Sequence, residues 1–196
     1  MRLFLVALFA LLAVGCARAH RVDRLPPGDG PLVAIYKAAI DDGSGVMRRA
    51  KLSIWAARPD RLHAELIAPV GGVSFILDAG GGKACLIDVG AATAYAGGDS
   101  VSAIEALVGL RVSVADAVGA LLTGAAPIGL TVTRDASAEG ELPAMIRIED
   151  GSRSIALTRV RFERGTGDAA ALGTGTPPGQ LAVHPIDELS AAGRER

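Results

Sequence analysis

Arg61-Leu62-His63-Ala64-Glu65-Leu66-Ile67-Ala68 decides the fold class, because apolar and polar side chains alternate in it with a period of two. Leu62, Ala64 and Leu66 fall on one side; Arg61, His63 and Glu65 fall on the other. An extended strand puts alternate residues on opposite faces, whereas a helix would scatter them around its axis. One face is therefore built for a core and the other for water. That division is typical of an antiparallel sheet covered on one side only. The stretch ends in Pro69-Val70-Gly71-Gly72, where Pro and Gly break the strand and turn the chain.

Working outward, the same pattern recurs on both sides. Residues 32–40 and 46–57 flank Asp41-Asp42-Gly43-Ser44-Gly45, a hairpin turn. Within the second of these strands Ala50, Leu52, Ile54 and Ala56 alternate with Arg49, Lys51 and Ser53. Residues 73–79 and 83–89 flank Gly80-Gly81-Gly82, and residues 92–96 follow. Later strands are expected over 128–134, 144–150 and 153–164, the last two joined at Asp150-Gly151. In 153–164, Ile155 and Leu157 read as one face, with Ala156, Val160 and Phe162 on the other. Sequential strands with short turns predict an antiparallel meander.

Two short helices interrupt the strands. Residues 101–108 carry Ile104, Leu107 and Val108 on one stripe and end at Gly109. Ser102 and Glu105 have the spacing of a capping box, with Asp99 and Ser100 as alternative caps. Residues 114–123 carry Val114, Ala117, Val118, Leu121 and Leu122 at i, i+3, i+4, i+7 and i+8. Ser113 caps this helix and Gly124 follows it. Amphipathic helices of this length must lie on a sheet face or plug a barrel mouth. The expected fold is mainly β with two short helices laid against an antiparallel, meandering sheet.

The N-terminus reads as a targeting segment. Met1-Arg2 opens it with a positive charge, and Leu3 to Val14 is an unbroken apolar run of twelve residues. A run of that length suits a secretory signal and is shorter than the ~20 residues a membrane-spanning helix needs. Ala13-Val14-Gly15-Cys16 resembles the bacterial lipobox. The resemblance implies cleavage before Cys16 and a diacylglycerol on its sulfur; ordinary cleavage near Ala17 or Ala19 is the alternative. The expected organisation is a signal peptide over 1–15, a lipidated Cys16 with a Pro/Gly tether over 16–31, and one β domain over 32–164. A Gly/Pro-rich tail over 165–196 follows, with one short last strand at 181–186.

Composition excludes several function classes. The formal net charge is −1 and the 20 Lys and Arg residues are spread along the chain, so no nucleic-acid footprint is present. Aromatics make up 4% while Gly alone numbers 25, so the interior is built from small side chains. Cys85 sits in the apolar run Ala84-Cys85-Leu86-Ile87 and reads as a small buried hydrophobe. His20, His63 and His184 lie far apart without metal-ligand spacing, and His63 reads as solvated surface. No G-x-S-x-G elbow is present. Gly80-Gly81-Gly82-Lys83 lacks the first glycine at phosphate-loop spacing and the Ser or Thr after the lysine, and reads as a turn. These residues predict neither an enzyme nor a bound cofactor or metal.

One resemblance adds to this. Asp60-Arg61-Leu62, then Leu66, then Ala68-Pro69-Val70-Gly71, resembles a segment of the LolB family. These are outer-membrane lipoproteins that receive other lipoproteins from the periplasmic carrier LolA. The likeness continues through two short helices joined by Gly109-Leu110-Arg111-Val112-Ser113 and ends at Leu121-Leu122-Thr123-Gly124; Trp55 stands where the family has an aromatic strand residue. The chain departs from the family in three places. A short tether replaces the helix before the first strand, residues 135–143 are short, and the tail after Arg164 is extra.

The resemblance implies an incomplete antiparallel β-barrel or curved sheet wrapped on helices, enclosing an apolar cavity for the acyl chains of lipoproteins or lipids. It implies that Leu52, Ile54, Leu62, Leu66, Leu107 and Leu121 line it, and that Val70 tips a membrane-facing loop. Ala17 rather than Asp after Cys16 implies sorting to the outer membrane, facing the periplasm. The implied partners are the membrane, through the anchor at Cys16, and a LolA-like carrier; the chain is expected to act as a monomer. The competing expectation is a lipoprotein that uses the same sheet as a protein-interaction scaffold in envelope assembly.

Overall fold

The computed structural model describes residues 30–98, 100–135, 143–166, 168 and 172–189. Among the described residues the chain runs through β1 Leu32–Asp41, β2 Met47–Ala57, β3 Arg61–Ile67, β4 Val73–Gly80, β5 Lys83–Asp88, β6 Thr93–Gly97, α1 Ser100–Val108, α2 Val114–Thr123, β7 Thr131–Arg134, β8 Met145–Asp150, β9 Arg153–Arg164 and β10 Ala182–Pro185. All ten strands form one sheet in the order β10-β6-β5-β4-β3-β2-β1-β9-β8-β7. The sheet does not close, and β10 and β7 are its edges.

The topology explains why the helices lie where they do. β1 to β6 form one meander and β7 to β9 a second, joined by the long antiparallel pair of β1 with β9. After β6 the chain stands near one edge, and β7 is the opposite edge. The two helices carry it across. α1 packs on β4 and β5, and α2 packs on β2 and β3. They cover what is here called the inner face, where Leu52, Ile54, Leu62, Ala64, Leu77 and Leu86 are buried.

Local chemistry fixes the helix ends. The Ser113 hydroxyl oxygen accepts from the Asp116 N–H at 3.1 Å, which caps α2 as its sequence predicts. α1 differs: it starts at Ser100, and Ser102 is a buried residue inside it rather than its cap. Asp99, the other cap candidate, lies outside the described residues. Gly124, at φ 67°, donates its N–H to the Ala120 carbonyl and closes α2.

Three features depart from the sequence reading. The sheet is mixed, because β10 runs parallel to β6. The second departure is in β9. The register shifts between Ile35 and Tyr36, so that Tyr36 faces Arg159 and Ile35 faces Arg161. The extra residue returns Phe162 to the face of Leu157, where it packs against the core beside Ala34. A strict period of two had placed it outside. Third, the segment after residue 171 is bound to the sheet. Arg61 donates to the carbonyls of Leu172 and Gly173, both at 3.3 Å. Gly173, at φ 64°, lies so close to the Ala79 carbonyl and the Leu62 N–H that a Cβ would collide with both. Residues 172–175 thus form a strap across β3, β4 and the start of β5, and the chain then runs on to β10, which pairs with β6.

Candidate functional site

Between the sheet and the two helices lies a cavity of about 60 Å³. Leu52, Ile54 and Leu62 form part of its floor, and Leu107 and Leu121 part of its roof. Leu66, the sixth predicted residue, shares the face of Leu62 but is half-buried at the end of β3, against the core and outside the lining. The sequence reading missed Ile148, Ile155 and Leu157, which close the side of the cavity from β8 and β9. Their signal was the alternation Ile146/Ile148 and Ile155/Leu157; what it lacked was the strand order that folds β9 back beside β1. Every lining side chain is apolar. A space of that size is far below that of small-molecule sites, which run to roughly 300–1,000 Å³. In this arrangement no acyl chain fits.

The roof is held down by arginines from the sheet. Arg153 on β9 donates to the Gly109 carbonyl and pairs with Glu105 of α1, both at 3.2 Å. Arg111, in the link between the helices, pairs with the same carboxylate at 2.8 Å. Arg134 on β7 donates to the Thr123 carbonyl at 2.8 Å. Both helix C-termini therefore meet a cation, which satisfies free carbonyls and opposes the negative end of the helix dipole. A second, open depression of about 380 Å³ lies between the β2–β3 turn and α2, lined by Arg58, Pro59, Ala115, Val118, Gly119 and Thr123.

Val70 is 98% exposed at the tip of the β3–β4 loop. Cys16 lies outside the described residues. β1 starts opposite the end of β2, and β3 starts there too, so the chain enters the domain at the end remote from Val70.

The outer face carries the titratable groups. His63 is not simply solvated: its Nδ1 lies 3.3 Å from Asp78, its Nε2 3.5 Å from Glu65, and its ring meets Trp55 edge-on at 5.2 Å. The hydrogen bond to Asp78, outweighing partial burial, raises the pKa of His63 above its ordinary value. Burial pushes Asp78 up, but the hydrogen bonds from His63, Gly175 and Thr174 outweigh it and hold the carboxyl below the usual range. Cys85 is fully buried beneath the strap, and burial and then Asp78 push its thiol up, away from the reactive thiolate. Asp78 stands between His63 and Cys85 in the cross-strand row, so the imidazole is one strand removed from the thiol. Tyr36, buried in the inner core, is pushed up to about 12 by desolvation, partly offset by Arg159.

Among the described residues no cluster of His, Cys, Asp and Glu is placed to hold a metal, and no helix is long and apolar enough to cross a membrane. Comparison of the chain with protein-family models and with characterised proteins finds no match. The likeness to LolB therefore rests on the motif segments alone.

Proposed function

We propose that this protein is a lipid-anchored envelope lipoprotein of LolB type, held at the outer membrane and facing the periplasm, that receives acyl chains of lipoproteins or lipids between its sheet and its helices. It works by binding, without covalent chemistry. The observation that carries this reading is the wholly aliphatic space between β2, β3, β9 and the two helices. On this reading the described state is the closed one. Admission of a chain requires the helix pair to lift, and the Glu105–Arg153 and Arg134–Thr123 contacts are what resists this. The link Gly109-Leu110-Arg111-Val112-Ser113 is where the pair would bend.

The anchor geometry is compatible with a membrane-facing Val70. From Cys16 to Gly30 the chain takes fourteen steps, a reach of up to about 50 Å. The ten residues of β1 span about 33 Å. The tether is long enough to bring either end of the sheet to the bilayer. A LolA-like carrier would deliver at the helix side.

The same small volume favours a second reading, a scaffold lipoprotein whose core never opens. Displacement of a fluorescent fatty acid separates the two. Saturable binding to the chain from Ala17 onward supports the carrier, and none at all leaves the scaffold. Incorporation of labelled fatty acid that persists in Cys16→Ala would sink the anchor.

A further inference from the structure

The outer face of the sheet holds a block of cations with a floor of small side chains. In one row across the strands, Met145, Thr158, Lys37 and Lys51 are neighbours; in the next come Arg147, Ala156, Ala39 and Arg49. Lys37, Arg49 and Lys51 are exposed, and none has an acidic partner within 4 Å among the described residues. Arg147 alone is paired, with Glu149 at 2.6 Å. Lys37 stands directly opposite Lys51, an arrangement that opposes strand pairing unless a negative charge lies above it. The acids nearest in register are Asp41 and Glu149 in the row beyond and Glu65 on the other side, where it is taken up by His63. Beside the cations, Met47 is 48% and Val160 56% exposed.

We propose that this block is the surface by which the protein lies on an anionic lipid bilayer, with Lys37, Arg49, Lys51 and Arg147 over the phosphates and Met47 and Val160 at the headgroup level. The cations are set on an open, pleated face rather than in a groove, and their floor of Ala39, Ala156 and Thr158 leaves nothing projecting between them. A flat, extended anion sheet matches that shape, and clustered Lys and Arg bind anionic headgroups. This rests on the anchored reading above. An anchor on a long tether leaves the domain's orientation open, and the cation block fixes it: outer face down, helices and cavity toward the periplasm, where a carrier arrives.

Trp55, the protein's single tryptophan, reports on this face. It lies on β2 four residues beyond Lys51 on the same side and is half-buried. The full lipidated chain is reconstituted into vesicles that contain headgroup-quencher lipid, with phosphatidylcholine alone or with phosphatidylglycerol added. Flotation with phosphatidylcholine vesicles reads the anchor separately. The expected result is at least twofold stronger quenching of Trp55 in the anionic vesicles, abolished by salt and by Lys37→Gln/Arg49→Gln/Lys51→Gln, with the melting temperature of the variant unchanged or raised. Equal quenching on both vesicles, or quenching that survives the triple variant, overturns the proposal. So does a Trp55 left unquenched on anionic vesicles, the outcome expected if the cations serve an acidic protein. Loss of flotation removes the anchor without touching the anionic-surface result, because binding to anionic vesicles is then scored on the unlipidated chain.

Discussion

The two faces of the sheet are made from the same strands and have opposite chemistry. On the inner face, Leu52, Ile54, Leu62 and Leu77 meet the helices, and no ionisable side chain enters the cavity lining. On the outer face, only one residue out of register, charges stand in rows: Arg49 and Lys51 on β2, His63 and Glu65 on β3, Asp78 on β4. The inner face is held by area removed from water and has one way to pack. The outer face is held by hydrogen bonds and a strap, and each of its contacts competes with solvent. Stability should therefore reside inside, and sensitivity to pH, salt and partners outside.

The largest test of that contrast is Leu77→Ala. Leu77 is fully buried in the floor of the cavity, and truncation there is expected to cost about 2–5 kcal/mol in urea unfolding. It also enlarges the apolar space, so the same variant should bind a fatty-acid probe more tightly if the cavity is a binding site. A loss of stability no greater than that of the exposed control Lys51→Ala would break the comparison.

Next is Gly173→Ala, on the outer face. A left-handed φ and a Cβ directed at the Ala79 carbonyl and the Leu62 N–H leave no room for the methyl, so about 1–3 kcal/mol is expected. The strap should then release while the core stays folded, read as faster reaction of Cys85 with a thiol reagent at nearly unchanged far-ultraviolet dichroism. Simultaneous loss of both signals would mean that the strap and the core unfold as one unit.

A smaller effect is expected at Ser113→Ala, which removes the oxygen that caps α2. About 1 kcal/mol is anticipated, together with faster probe entry, because α2 is part of the roof. Unchanged entry kinetics with lowered stability would show that the helix pair does not lift.

The smallest effect is the pH dependence of the His63 network. The pKa of His63 is raised in the fold, so its contribution is fully present below its unfolded value and fades as pH rises through the folded one. Asp78 is lowered, so its contribution is present above its unfolded value and fades as pH falls through the folded one. Stability should peak between these two transitions, on the acid side of neutrality, and His63→Gln should flatten the alkaline arm and weaken the acid arm, because the His63 hydrogen bond is the largest influence holding Asp78 down. An alkaline arm of unchanged slope in that variant would assign it to another group.

Much of this was legible in the chain. The alternation in 61–68 identified the inner face of β3, the Gly-containing turns marked the hairpins, and the stripe Val114, Val118, Leu121 placed α2 face-down. Five of the six residues expected around a cavity do line one, because one side of an amphipathic strand has only one place to go. Phe162 was misplaced because a bulge shifts the side on which later residues fall in β9; Leu66 keeps the face of Leu62 but lies at the end of β3, beyond the cavity lining. Bulges leave no mark in a hydrophobic period. Residues 172–175 looked like free tail because glycine and threonine say nothing about what they lie against.

The sequence by itself determined the elements, most of their buried sides, the hairpin turns and the caps of α2, because these depend on residues within a few positions of one another. It also carries Cys16, whose context is local. The tertiary structure alone decided the pairing of β1 with β9, the parallel β10, the strap over Cys85 and the row that brings Trp55, His63 and Asp78 together. Each joins residues far apart in the chain, and no local preference ranks one such pairing above another. It also decided the volume of the cavity. That depends on how closely α1 and α2 settle on a floor of alanine and leucine, a balance of packing summed over the whole inner face.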